Sequence, residues 1–178
     1  YPDDAGAVLL IELEGLQDEV DEIGEEVEAA LWETGATQVR TAEAAEEREL
    51  LWVGRKGALG ALGSIAPNYF LVDGVVPRTQ LAQVLAQVAE VSRKYDIPIA
   101  NVFHAGDGNL HPCLLFDERQ PGALDKIVEA GTEVLQVCVD AGGTLTGEHG
   151  VGLEKKEQMP LVFSEDDMAA MVLVRDAF

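Results

Sequence analysis

Apolar and polar positions along this chain repeat with two periods, one of two residues and one near 3.6, and together they predict a mixed fold. The run AVLLIELEG at 6–14 reads as a buried strand. A helix over 16–33 follows, with Leu16, Val20, Ile23, Val27 and Leu31 on one face and acids on the other. A short strand is expected at 36–41. Next comes a helix over 42–57 that turns from acidic to basic and ends in a glycine-spaced stretch. The segment NYFLVDGVV at 68–76 predicts a strand closed by Pro77, and a helix over 79–95 turns Leu81, Val84, Leu85, Val88 and Val91 inward. Segments 97–104 and 110–117 flank Gly106, Asp107, Gly108 and Asn109, a hairpin signal because such a turn needs positive φ. A helix over 122–141, a strand or loop through 147–150 and terminal helices complete the pattern. The fold class is α+β: an antiparallel sheet with packed helices, ferredoxin-like, with room for elaboration or duplication.

The length of 178 residues suits one extended domain over 1–178 with a real core. Tyr1, Pro2, Asp3 and Asp4 open the chain without an initiator Met, and it stops at Phe178 inside an expected helix. Both ends read as cuts, so the expectation is a domain excised from a longer protein. Composition is ordinary at 47% hydrophobic and 25% charged, but 33 Asp and Glu against 12 Lys and Arg leave a net charge of −21. Such a surface repels phosphate backbones and anionic lipid, which argues against nucleic-acid and membrane-surface binding. No apolar run approaches the roughly 18 residues of a transmembrane segment. Cys113 and Cys138 lack CxxC spacing and read as reduced thiols of a cytoplasmic protein.

The chemistry concentrates in two glycine-rich segments that hold all three histidines: His104 and His111 in HAGDGNLH, and His149 beside Glu148 in GEHG. In a hairpin, His104 and His111 can lie opposite each other on one face, close enough to share an ion. Two ordinary surface histidines would satisfy the same pattern. Glu148 and His149 can serve one site only if their segment is irregular, since adjacent strand residues point to opposite faces. A carboxylate with two neutral imidazoles is a familiar shell for Zn²⁺ or Fe²⁺, and the remaining histidine would be free as a base. The competing reading is a glycine-rich connection with a helix-capping acid. Gly57, Gly60 and Gly63 have the wrong spacing for a dinucleotide fingerprint, and Gly106 and Gly108 lead into a strand instead of a helix. Arg55, beside Lys56, could clamp a carboxylate or simply be a solvated helix end. Trp32 and Trp52 sit at helical positions and read as core.

HAGDGNLHP at 104–112, GGTLTGEHGVGLEKKE at 142–157, LLWVGRKGAL at 50–59 and YFLVDGVVPR at 69–78 give the chain a resemblance to the C-terminal domain of FAD-linked oxidases. The similarity is to the group that includes the glycolate oxidase flavin subunit and the D-lactate and D-2-hydroxyglutarate dehydrogenases. It implies that an N-terminal domain outside this chain binds most of the FAD, while this domain forms the substrate pocket. It implies a divalent metal (Zn, Fe or Mn) on His104, His111 and Glu148, His149 as proton acceptor, and Arg55 on the substrate carboxylate. The implied reaction is oxidation of a D-2-hydroxy acid to its 2-oxo acid, with an iron–sulfur or other electron-accepting subunit as partner and membrane association only through that partner. Relatives that take D-2-hydroxyglutarate use further polar residues for the second carboxylate. This chain has Leu59, Leu71 and Cys113 at the corresponding places, which points to glycolate or D-lactate. The chain alone is expected to be inactive. A stand-alone metal-binding or metallohydrolase domain, or a ferredoxin-like ligand-binding module, are the rival readings.

Overall fold

The computed structural model describes Tyr1 and residues 4–178. Pro2 and Asp3, part of the opening that suggests an excised domain, lie outside the described residues. The chain divides into two compact units, Tyr1–Gly57 and Ala58–Phe178.

The first unit is helical. Helix α1, Gln17–Glu33, follows the predicted 3.6-residue pattern yet has no fully buried residue. The strand expected at 6–14 does not form, and Val8, Leu9 and Ile11 are exposed. A strand needs a partner for its backbone N–H and C=O groups, and the 36–41 segment, also expected to be extended, is irregular too. Leu10 and Leu13 of that first run are half-buried, and Leu13 packs against α1 at Gly24. Trp32 is not core: it is half exposed, and its indole N–H donates to Glu28 at 3.2 Å. Helix α2, Ala45–Leu62, extends past the expected end at 57 and takes Gly57 and Gly60 into its last turns.

The second unit carries the sheet and the core. Strand β1, Asn68–Leu71, and strand β3, Ile99–Asn101, both pair antiparallel with the central strand β5, Pro112–Phe116. The order β1-β5-β3 matches the first three strands of a ferredoxin-like β-α-β-β-α-β unit, with no fourth strand among the described residues. A second small sheet elaborates it, pairing β2, Gly74–Val75, with β4, Asn109–Leu110. The strand read over 68–76 is therefore two strands serving two sheets, interrupted at Val72 and Asp73.

Side chains alternate across β5. Leu114 joins Val84, Val88 and Val91 of α3, Leu81–Tyr95, and Ile127, Ala130, Val134 and Cys138 of α4, Ala123–Asp140. On the opposite face Cys113 and Leu115 pack with Leu62, Leu59 and Leu71. Neither cysteine is in a disulfide. The hairpin turn forms as a 3-10 turn at Ala105–Asp107 followed by Gly108 at φ 70°. Glycine is required there twice over: a Cβ would lie 2.1 Å from the Val76 carbonyl oxygen, whose own N–H donates to the Gly108 carbonyl. After α4 the chain runs as a loop to a 3-10 segment, Lys156–Leu161, and then α5, Glu165–Asp176, which opens on a capping box between Ser164 and Asp167.

Candidate functional site

The site forms where both small sheets are interrupted. In β1 the ladder ends with Leu71 opposite Cys113; in β2 it resumes with Gly74 opposite Leu110. Between those pairs Val72 and Asp73 on one side confront His111 and Pro112 on the other. His104 sits just before the 3-10 turn and bridges Asn109. That bridge folds the predicted hairpin back so that the His104 and His111 rings meet edge to face, with centroids 5.6 Å apart.

Glu148 and His149 arrive on the loop after α4. Thr144 ties that loop to β2 through reciprocal bonds with Val75, and buried Leu145 anchors it in the core. The next residues turn their backbone N–H groups onto one carboxylate, that of Asp73. Its Oδ2 accepts from the Thr146 hydroxyl at 2.8 Å and from the Gly147 and His149 N–H groups at 3.0 Å each, while the Glu148 N–H lies 3.3 Å from both oxygens. Three successive N–H groups converging on one acceptor make the segment irregular, as the sequence requires if neighbouring side chains are to share a site.

Four side chains result. His111 Nε2 lies 2.8 Å from Glu148 Oε1, His149 Nε2 lies 3.5 Å from the same oxygen, and His104 Nε2 lies 4.0 Å from it. The His149 ring stacks on His111, with centroids 5.0 Å apart and an interplanar angle of 3°. His111 is buried, whereas His104, Glu148 and His149 are each about half exposed, so the cluster opens to solvent on one side. The ligand atoms of His104, His111 and Glu148 all fall within 4.8 Å of one another and could hold a cation; so do those of Asp73, His111 and His149. The first set is the better suited, because Asp73 is fully buried and its Oδ2 is already occupied by N–H and O–H donors.

Burial works to raise the pKa of Asp73, but the His149 N–H, the Thr146 hydroxyl, the Gly147 N–H and the Lys155 ammonium outweigh it and hold the carboxyl well below the usual range. Lys155, itself buried, stands 3.4 Å from Oδ2. Burial pushes the His111 pKa down, against the opposing pull of the Glu148 hydrogen bond and of the Glu148 and Asp73 charges. A neutral imidazole has one N–H, yet this ring faces a carboxylate at each nitrogen. Its Nδ1 is 3.8 Å from Asp73 Oδ1, too far for a hydrogen bond, and has no partner among the described residues.

The structure thus brings together all four residues singled out in the histidine-bearing motifs. Arg55 lies in the other unit, half-buried on α2, and forms no ion pair with a described residue of that unit. Leu59, Leu71 and Cys113 share one apolar cluster, with Cys113 fully buried. Sequence reasoning missed Asp73, Thr146 and Lys155. The available signal was an acid set in the apolar run YFLVDGVV, where a solvent-facing charge has no place. No described helix is long and apolar enough to cross a membrane.

Comparison with known proteins gives one consistent answer. The family described as FAD linked oxidases, C-terminal domain, matches residues 1–178. The chain is 46% identical over 178 residues to glycolate oxidase subunit GlcD of Escherichia coli (strain K12), covering 100% of this chain and 36% of that protein. It is 37% identical over 177 residues to glycolate oxidase subunit GlcD of Bacillus subtilis (strain 168), covering 99% of this chain and 38% of the relative. Against the mitochondrial D-lactate dehydrogenase [cytochrome] of Kluyveromyces lactis it is 30% identical over 158 residues, 85% of this chain and 27% of the relative. The chain therefore spans about a third of the length of the curated relatives it matches.

Proposed function

The chain belongs to the FAD linked oxidase C-terminal domain family, and from that membership we propose that it is the substrate domain of a flavin-dependent D-2-hydroxy acid dehydrogenase. Glycolate or D-lactate is the substrate, and a divalent cation (Zn, Fe or Mn) sits on His104, His111 and Glu148.

One observation carries the cation: the buried His111 ring is held between two carboxylates, Asp73 on its Nδ1 side and Glu148 on its Nε2 side. If Nε2 carries the proton, Nδ1 is a bare acceptor buried against the Asp73 carboxylate, a costly pairing. If Nδ1 carries it, the Nε2 lone pair meets the Glu148 carboxylate at 2.8 Å. A cation held by His111 Nε2, Glu148 and His104 would remove the conflict. When bound, such an ion supplies Lewis acidity to the substrate hydroxyl.

The remaining roles fall to this chain's own side chains. His149, stacked on His111 and half exposed, accepts the hydroxyl proton at Nε2. Arg55 holds the substrate carboxylate through its planar fork. Leu59 and Leu71, which are partly buried, offer no charge to a second carboxylate, so a dicarboxylate would lose its hydration without compensation, whereas Cys113 is fully buried and does not reach a substrate. FAD does not find its phosphate site here: Gly57 and Gly60, the nearest approach to a glycine-rich loop, lie inside α2. The proposal places most of the FAD contacts outside this chain, which spans 36% of the Escherichia coli relative. Since two relatives are named as subunits, an electron-accepting partner, iron–sulfur or otherwise, completes the reading.

The test is a screen of 2-hydroxy acids against a dye acceptor, using the complete flavoprotein with and without chelator. Glycolate or D-lactate turnover that chelator abolishes and Zn²⁺ or Mn²⁺ restores is expected. Preference for D-2-hydroxyglutarate, or indifference to chelator in a metal-free preparation, would refute it.

A further inference from the structure

We propose that Asp73 is the positioning residue of this site, an assignment that rests on reading His111 as a ligand through Nε2. One carboxylate oxygen gathers the loop that carries Glu148 and His149, and the other faces His111 Nδ1 at 3.8 Å and favours keeping the ring proton on that nitrogen. Asp73 is fully buried in the break between β1 and β2, with no freedom to turn toward water. Its Oδ2 is saturated by the Thr146 hydroxyl, the Gly147 and His149 N–H groups and the Lys155 ammonium. Its Oδ1 has only a share of the Glu148 N–H, and its open side faces His111 Nδ1.

The choice of tautomer follows from which carboxylate can move. Glu148 is half exposed and can swing its charge into solvent, whereas Asp73 cannot. Placing the single ring proton on Nδ1 therefore removes the one repulsion that has no other escape. The contact becomes a hydrogen bond when the pair closes from 3.8 Å to the usual distance of about 3.0 Å. The Nε2 lone pair is then left aimed at Glu148, the orientation a metal-ligating histidine obtains from a carboxylate behind it. Lys155 belongs to the same device. Buried itself, it donates to the Asp73 backbone carbonyl as well as to Oδ2, which keeps the aspartate ionised and its backbone in place.

Asparagine separates this role from simple loop anchoring. In Asp73→Asn the amide oxygen still accepts the converging N–H groups, which turns the NH₂ toward Nδ1. Nδ1 then becomes an acceptor, the proton moves to Nε2, and the lone pair needed for a cation is lost.

The chain's only imidazoles are His104, His111 and His149. Labelling the protein with ¹⁵N-histidine therefore gives three rings, assigned with His104→Asn and His149→Asn. At a pH above the histidine range, metal-free wild type should show His111 protonated at Nδ1 and bare at Nε2. Asp73→Asn should show the opposite tautomer and bind Zn²⁺ about 10–100-fold more weakly, with His104 and His149 unaltered. An Nε2-protonated His111 in the wild type overturns the assignment without needing any variant to fold. So does an Asp73→Asn protein whose tautomer and Zn²⁺ affinity are unchanged. The Nδ1 tautomer with no Zn²⁺ uptake upholds Asp73 and refutes the cation; Zn²⁺ uptake by an Nε2-protonated ring does the reverse.

Discussion

Cys138 shows how tightly single residues are set around this site. It is fully buried on α4, and a Cβ placed on Gly74 would come within 2.6 Å of its sulfur. Burial pushes its thiol pKa up to about 11, the Lys155 charge pulling weakly the other way. Because the folded value lies above the unfolded one of about 8.5, the folded state holds the proton that the unfolded state releases first. This contribution to stability is complete below about pH 8.5 and is lost as pH rises toward 11. Urea midpoints measured from neutral to strongly alkaline pH should fall in the wild type and fall less in Cys138→Ala, whose neutral-pH stability is lower because of the cavity. Parallel declines would show that the thiol contributes nothing. The histidines and Glu148 were visible from sequence because their residue types announce chemistry within a few positions. Asp73 was not. Its importance arises from N–H groups more than seventy positions downstream and from a ring across a strand break, neither of which leaves a local pattern.

Among the elements, helix α1 and helices α3 and α4 were equally legible from their periodicity but differ in what they bury. No residue of α1 is fully buried, while α3 buries Val84, Val88 and Val91, and α4 buries six residues including Ile127 and Val134. Local opening is easiest where little apolar surface is lost to water. Amides of 17–33 should therefore exchange with deuterium well before those of 81–95 and 123–140; equal protection would contradict this. The hairpin turn offers a sharper test. Gly108→Ala combines a left-handed backbone, costing about 1–3 kcal/mol by itself, with a clash against the Val76 carbonyl. Chemical denaturation should show at least that loss, together with weaker Zn²⁺ binding as His104 and His111 lose their register. The strand readings went astray for a common reason: a strand is defined by its partner. The 6–14 run has a strand's composition and no ladder to join. The 68–76 run changes partner at Asp73, and that change of partner creates the site.

For the molecule as a whole, charge and span decide what this chain can do by itself. With 33 acidic against 12 basic residues, it repels polyanions unless local donors are built to receive them. The donors that are built, three consecutive N–H groups with a buried lysine beside them, are taken by Asp73. The glycines that might have formed a phosphate loop are helical. A dinucleotide with two phosphates thus meets neither an anion nest nor a basic cleft among the described residues. The Escherichia coli relative is almost three times as long as this chain. The 178-residue chain, purified alone, should therefore be colourless and show no 2-hydroxy acid dehydrogenase activity, while still taking up Zn²⁺ at His104, His111 and Glu148. Flavin absorbance that survives purification would mean that this domain grips FAD by itself, and the division of labour proposed here would fall. Loss of Zn²⁺ uptake in Glu148→Gln, with an unchanged unfolding midpoint, would show that the metal-binding half of the division stands on its own.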